Sequence, residues 1–400
     1  MNILVLNCGS SSIKYQFINM QNQEVLVDGI AERIGEDTAL YTYKSAKFTS
    51  KKKQCDIPNH ETGLQMIIDS LLDPTTGVIP DISHIDAVGH RFVHAGEHYS
   101  DAVQVTDHVV DVMRECISLA PLHNPANLKG IEAVKHNMPD VPQCGVFDTA
   151  FHQTMPAYAY LYPLPMEFYR ENKIRRYGFH GTSHKYVSRK AAEFLGKDVH
   201  DLKIISCHLG NGASITAIDK GQSVDTSMGL TPLEGLMMGT RSGDLDPAIP
   251  IHMQQQLGLS VDEVNTILNK KSGMLGLSEL SNDMREIEDQ ILIHKNSQAI
   301  QAHDVYCYRI KKYIGSYFAV LNGIDVLIFT GGVGERMPIM RSQVCKDLEA
   351  LGITINEEEN ARFTDEIQVL STPDSRVTVL KVPTNEELMI ALETKRILGK

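Results

Sequence analysis

The sequence predicts an α/β fold made of two related halves, and three observations point there. The segment Asn7-Cys8-Gly9-Ser10-Ser11-Ser12-Ile13-Lys14-Tyr15 reads as strand, tight Gly/Ser loop, strand. The segment Ile204-Ile205-Ser206-Cys207-His208-Leu209-Gly210-Asn211-Gly212-Ala213-Ser214-Ile215 repeats that logic in the other half. Third, Ile85 to Gly89 and Ile324 to Thr330 are apolar runs that each open on Ile-Asp and lead into a block closing on Gly-Glu. Small residues in such loops let backbone N–H groups approach an anion, and Ser hydroxyls add donors. One loop per half suggests a duplicated fold holding a polyphosphate between its halves.

The elements follow in order. Ile3 to Leu6 and Ile13 to Ile18 form the first hairpin, and Val25 to Ile30 a third strand. The polar, Lys-rich stretch near Lys51 reads as a surface excursion. In the second half, Tyr306, Ile310, Tyr313, Ile314, Tyr317, Phe318 and Leu321 recur at helical spacing and predict an amphipathic helix. Pro338 is placed to open a helix running to Leu351. Asn385 to Leu398 reads as a C-terminal helix with Gly399 past its end. Motif positions alone divide the chain into residues 1–150, joined by the terminal helix 385–400, and residues 151–384.

Composition narrows the function classes. A net charge of −12 offers no basic excess for a nucleic-acid surface. Any anionic substrate must be met by locally placed Arg, Lys or metal. The seven cysteines show no CxxC and no regular spacing, which fits reduced thiols in a cytosol. The first apolar run breaks at Asn7 and has no basic leader, so no signal peptide is read, and no run reaches the about 18 residues of a membrane span. A cytoplasmic protein is expected.

Common nucleotide motifs fail. There is no GxxxxGK[ST], and Gly210-x-Gly212 lacks a third glycine and precedes a strand. The HRD and DFG kinase motifs are missing. His180 and His184 have zinc-protease spacing, but Gly181 stands beside His180 in place of the Glu base. His90, His94 and His98 straddle a strand end and Gly96, so they cannot share one face. His123 and His208 fit either a core role or an anion contact. What remains is a strand–Gly/Ser–strand loop used twice and a strand–Gly-Gly-x-Gly–helix junction, which resembles the actin-like (ribonuclease H-like) ATPase and sugar-kinase superfamily.

The resemblance then becomes specific. The two hairpin loops are similar to the hallmark motifs of the acetate kinase family, and the likeness continues through Gly89–Gly96, Phe147–His152, Arg176–His184, Met238–Pro247, Asp283-Met284-Arg285 and Pro383–Glu387. One departure stands out: the family loop Gly-Gly-x-Gly-Glu-Asn has Arg336 at its last position.

The resemblance implies two actin-like domains with a cleft between them, and reversible phosphoryl transfer from ATP to acetate giving acetyl phosphate and ADP. It implies catalytic roles for Arg91, Asp148, His180 and Arg241, and a methyl-binding lining of Val93, Leu122, Phe179 and Pro232 beside Arg91. Nucleotide contacts are expected from Lys14, from His208, Leu209, Gly210, Asn211 and Gly212, from Asp283, Met284 and Arg285, and from Gly331, Gly332, Val333, Gly334 and Glu335. Mg²⁺, with Mn²⁺ as a substitute, is expected near Asn7 and Glu386, and a homodimer through the C-terminal half. Acetate is already ionised at neutral pH, so Asp148 is read as ordering Mg²⁺ or an Arg and not as a base. A propionate or butyrate kinase, a sugar kinase and an actin-like ATPase that uses the nucleotide as a switch are the alternatives. The paired arginines favour a carboxylate acceptor over a sugar.

Overall fold

The structure, a computed structural model, describes residues 1–399. Two compact units emerge from the contacts: Met1–Gln153 with the segment from Asn385 onward, and Thr154–Thr384.

The first unit is built on an eight-stranded sheet. Its strands are β1 (Asn2–Gly9), β2 (Ser12–Asn19), β3 (Glu24–Glu32), β4 (Leu40–Ser45), β5 (Thr49–Gln54), β6 (Ala87–Phe92), β7 (Val103–Gln104) and β8 (Gln143–Phe147). Their order is β5-β4-β3-β2-β1-β6-β8-β7. Leu4, Leu6, Ile13, Tyr15 and Phe17 pack with Leu64, Ile67 and Ile68 of the helix His60–Leu72 into one core cluster. Each such side chain contributes roughly 1.5–3 kcal/mol of burial. The helix Glu386–Leu398 packs on β1, β6 and β8. Its approach requires Gly89, where a Cβ would stand 2.6 Å from Thr394 Oγ1. Asn385 caps it by accepting from Leu388 N at 2.9 Å, and Gly399 closes it at φ +66°.

The second unit carries a six-stranded sheet of β9 (Lys203–Leu209), β10 (Ala213–Asp219), β11 (Gln222–Thr226), β12 (Val326–Thr330), β13 (Gln368–Val369) and β14 (Thr378–Lys381), ordered β11-β10-β9-β12-β14-β13. Ile204, Ile215, Leu327 and Phe329 are fully buried. The helix Ser297–Leu321 lays Tyr306, Ile310, Ile314, Tyr317 and Leu321 inward and touches β9 and β10.

The duplication is visible strand by strand. β2 and β1 are antiparallel, β1–β6 and β6–β8 parallel, and β8–β7 antiparallel. In the second unit β10–β9, β9–β12, β12–β14 and β14–β13 repeat those directions in that order.

Two expectations change. The Lys-rich stretch near Lys51 is not a loose excursion but the edge strand β5, paired with β4. Its lysines guard an exposed edge against further pairing. The helix opened by Pro338 ends at Cys345, because Lys346 turns to ψ 135° and Asp347 takes φ +59°.

Candidate active site

The first unit gathers charge at one end of its central strands. β1 and β2 pair Gly9 with Ser12, so the predicted loop is a two-residue turn of Ser10 and Ser11. His60 fastens this turn, its Nε2–H donating to Gly9 O at 2.7 Å. The same register sets Asn7 opposite Lys14. Parallel pairing of β6 with β8 brings Arg91 beside Asp148, whose N–H donates to Phe92 O at 2.9 Å.

Arg91 donates through Nη2 to Asp148 Oδ2 at 2.5 Å and through Nε to Asp148 Oδ1 at 3.3 Å, a side-on fork. Its Nη1 donates to Asn7 Oδ1 at 3.3 Å. Asp148, foremost, holds the guanidinium above its ordinary pKa. Glu386 and Glu387 open the terminal helix, and Lys14 Nζ donates to Glu387. Burial, with the nearby Asp148 and Glu387 charges, pushes the Glu386 carboxyl up to about 7 although Arg91 and Lys14 oppose that shift. With all three carboxylates ionised they face two cations, and the cluster is then one positive charge short. No group of three or more His, Cys, Asp or Glu side chains among the described residues could cage a metal. Mg²⁺ needs no such cage, since it is usually held by one or two carboxylates plus water and phosphate oxygens. The donor set and its missing charge fit a divalent cation.

Val93 is 5% exposed, whereas Leu122 is 75% exposed, so the lining expected at Leu122 is not enclosed in this structure. His90 and His94 serve the fold: the His90 ring bonds Gln143 Oε1 at 2.8 Å, and His94 Nδ1 accepts from Gly96 N at 2.9 Å.

In the second unit Gly210, Asn211 and Gly212 form the turn between β9 and β10. A Cβ on Gly212 would stand 3.5 Å from Arg241 Nη1 and 3.6 Å from His180 Nε2, so both side chains flank this turn. His180 holds φ +56°, an uncommon geometry for a residue with a Cβ, at the start of the helix Gly181–Leu195. Arg241 donates to Pro232 O at 3.3 Å and contacts Met238 Sδ at 3.7 Å. Neither partner is charged, and burial lowers its pKa. Phe179 is buried and Pro232 half-buried.

A cavity of about 420 Å³ opens beside the turn. Of the expected nucleotide residues, Gly210, Asn211, Asp283, Met284, Arg285, Gly332 and Val333 line it. Asn282, Glu288 and Met337, which sequence reading missed, join them with Arg336. Asp283 and Arg285 form a side-on pair, and Arg285 holds the Asp283 carboxyl down at about 2.

His208, Leu209, Gly212, Gly331, Gly334 and Glu335 do not line the cavity. Gly331 takes φ +76°, where a Cβ would meet Leu209 O at 2.7 Å. The Glu335 carboxylate is used on backbone, accepting from Gly331 N at 2.9 Å and Thr384 N at 3.1 Å. Gly334 O accepts from the buried Arg341 at 2.8 Å. Gly331, Gly334 and Glu335 shape the loop, a role that needs the tertiary structure to be seen.

Comparison with known proteins agrees with this architecture. Residues 2–392 match the acetokinase family. The chain is 56% identical over 400 residues to an acetate kinase of Pseudothermotoga lettingae, covering 100% of this chain and 98% of that one. It is 54% identical over 400 residues to one of Natranaerobius thermophilus, with both chains fully covered. The crystal structure of Porphyromonas gingivalis acetate kinase superposes with a TM-score of 0.96 at 47% identity, covering 99% of each chain. A propionate kinase from Francisella tularensis superposes at 0.91 with 41% identity, also covering 99% of each. The fold is the duplicated actin-like α/β architecture, and with a family match across nearly its whole length this chain belongs to the acetokinase family.

Proposed function

We propose that this chain catalyses reversible in-line transfer of the γ-phosphoryl group of ATP to a carboxylate oxygen of acetate, giving acetyl phosphate and ADP. Family membership and the acetate kinases at 52–56% identity support an acetate kinase over a propionate kinase. The observation that carries the site assignment is Arg241, a half-buried guanidinium whose partners are a carbonyl and a thioether. Burying a cation without a counter-ion is costly, so the position calls for an anionic ligand.

Each unit then supplies part of the chemistry. The cavity beside Gly210 and Asn211 takes the nucleoside, with Met284, Val333 and Met337 as its apolar lining. Lys14 meets phosphate oxygens. Arg241 and Arg91 offset the repulsion between two anions, and Asp148 orients Arg91. The His180 Nε2 donates to the transferring group, whose loose transition state spreads charge over its equatorial oxygens. Asp148 already accepts two hydrogen bonds from Arg91, which supports an orienting role and leaves it poorly placed as a base. Val93 and Phe179 offer the methyl group an apolar contact.

The family depends on Mg²⁺, with Mn²⁺ as a substitute, and Asn7 and Glu386 are the residues that would hold it. Bound there it would supply the positive charge that the carboxylate cluster lacks. A homodimer formed through the C-terminal half and a cytoplasmic location complete the proposal; no helix among the described residues is long and apolar enough to cross a membrane.

Hydroxylamine trapping of acyl phosphate tests the reading, with acetate, propionate, butyrate and a hexose compared at equal concentration. Acetate should give the fastest ATP-dependent hydroxamate formation. Equal ATP hydrolysis with and without any carboxylate would instead mark a nucleotide switch.

A further inference from the structure

Ser214 stands at the centre of a buried chain of hydrogen bonds that reaches His180. Its Oγ lies 2.9 Å from His180 Nδ1 and 2.8 Å from His184 Nε2. His184 Nδ1 lies 2.9 Å from Ser206 Oγ. Ser206, Ser214 and His184 are all fully buried. β9 and β10 hold the two serines in place, and the helix Gly181–Leu195 carries His184 one turn beyond His180.

A serine hydroxyl has one proton and two lone pairs, so Ser214 can donate to one ring at most and accepts from at least one. With the Ser214 proton given to a ring, the chain has two self-consistent directions. In one, Ser206 donates to His184 Nδ1, His184 Nε2–H donates to Ser214, and Ser214 donates to His180 Nδ1. The proton of the His180 ring is then on Nε2, on the edge of the ring beside Gly212. In the other, every donor reverses and a neutral His180 presents a bare lone pair at Nε2. A lone pair would repel phosphoryl oxygens, whereas an N–H aimed at developing charge stabilises it.

We propose that Ser206, His184 and Ser214 are positioning residues that fix His180 in its Nε2–H tautomer, so that it meets the transferring phosphoryl group as a preset donor. The proposal rests on the assignment of His180 to the phosphoryl site. It assigns to three further side chains the task that a second hydrogen bond performs for many functional histidines, setting which nitrogen carries the proton.

The test is nitrogen NMR on the full-length free enzyme carrying ¹⁵N-labelled histidine, with the His180 and His184 signals assigned by substitution. His180 should show a protonated Nε2 and a bare Nδ1, and so should His184. Protonation of His180 at Nδ1 with a bare Nε2 would overturn the proposal, whatever any variant does. In kinetics, Ser214→Ala should lower kcat by roughly 10- to 100-fold, part of the usual cost of an oxyanion donor, with KM values for acetate and ATP nearly unchanged. Ser214→Thr, which keeps the hydroxyl, should recover most of that loss. Wild-type kcat in folded Ser214→Ala, or equal losses in both folded variants, would count against the relay. His180→Ala separates the two readings. Full activity there would remove His180 from the site, whereas an inactive His180→Ala with the reversed tautomer would sink the relay alone.

Discussion

Exchanging Asp148 for Asn should disable this enzyme through Arg91. The carboxylate is 2% exposed and takes both branches of the Arg91 fork, at 2.5 and 3.3 Å. Asn keeps one acceptor and loses the charge, so the guanidinium loses half of its fork and retains its weaker bond to Asn7. Breaking a buried pair costs about 3–5 kcal/mol, and because the Arg91 side chain is 25% exposed the stability loss should be nearer about 2 kcal/mol. For catalysis, Arg91→Ala should cost about 3–4 kcal/mol in kcat/KM, the scale of one lost transition-state donor. Asp148→Asn should cost about 2–3 kcal/mol, or roughly 30- to 150-fold. If Asp148 acts only through Arg91, the double variant should be no worse than Arg91→Ala, within about 0.5 kcal/mol. Steady-state kinetics on variants with intact circular dichroism measures this cycle. Additive losses would refute the reasoning and give Asp148 an independent task.

Two further predictions concern stability and selectivity. Burial pushes the His90 ring down to about 4 although its bond to Gln143 opposes the shift. Its contribution is therefore complete above the unfolded value near 6.5 and is lost as pH falls toward 4, by up to about 3 kcal/mol. Denaturant melts at pH 7 and 4.5 should show His90→Gln losing less stability on acidification than wild type. At the acyl pocket, one methylene is worth only about 1–3 kcal/mol, so acetate should be preferred to propionate by roughly tenfold to a hundredfold. Val93→Ala should narrow that ratio, chiefly through KM for propionate; an unchanged ratio would remove Val93 from the pocket.

What the sequence revealed and what it hid have physical causes. The hairpin carrying Asn7 and Lys14 is local, and its Gly/Ser turn and alternating strands are readable in one short stretch. β5 was hidden because Thr49-Ser50-Lys51-Lys52-Lys53-Gln54 has no apolar alternation; its pairing with β4 is its main support. The helix after Pro338 was overdrawn because Val344, Leu348 and Leu351 continue the apolar spacing past a backbone break at Lys346. Arg91 and Asp148 could each be marked by motif, but their fork exists only through the parallel register of β6 and β8. Glu335 is expected at the nucleotide from the family resemblance of its loop, and only the fold discloses that its carboxylate also braces Gly331 and Thr384. Ser214 belongs to a readable motif, but its task is not legible there, since its contacts come from a helix more than twenty residues away in sequence.

The central claim is that a carboxylate oxygen attacks phosphorus directly, and oxygen labelling tests it most directly. With acetate carrying ¹⁸O in both carboxylate positions and unlabelled ATP, ³¹P NMR of the acetyl phosphate should show ¹⁸O bonded to phosphorus in every product molecule. Acetyl phosphate whose phosphorus bears only unlabelled oxygen would mean that the acyl carbon was attacked by phosphate, and the account of Arg91, Arg241 and His180 as phosphoryl-transfer groups would be wrong.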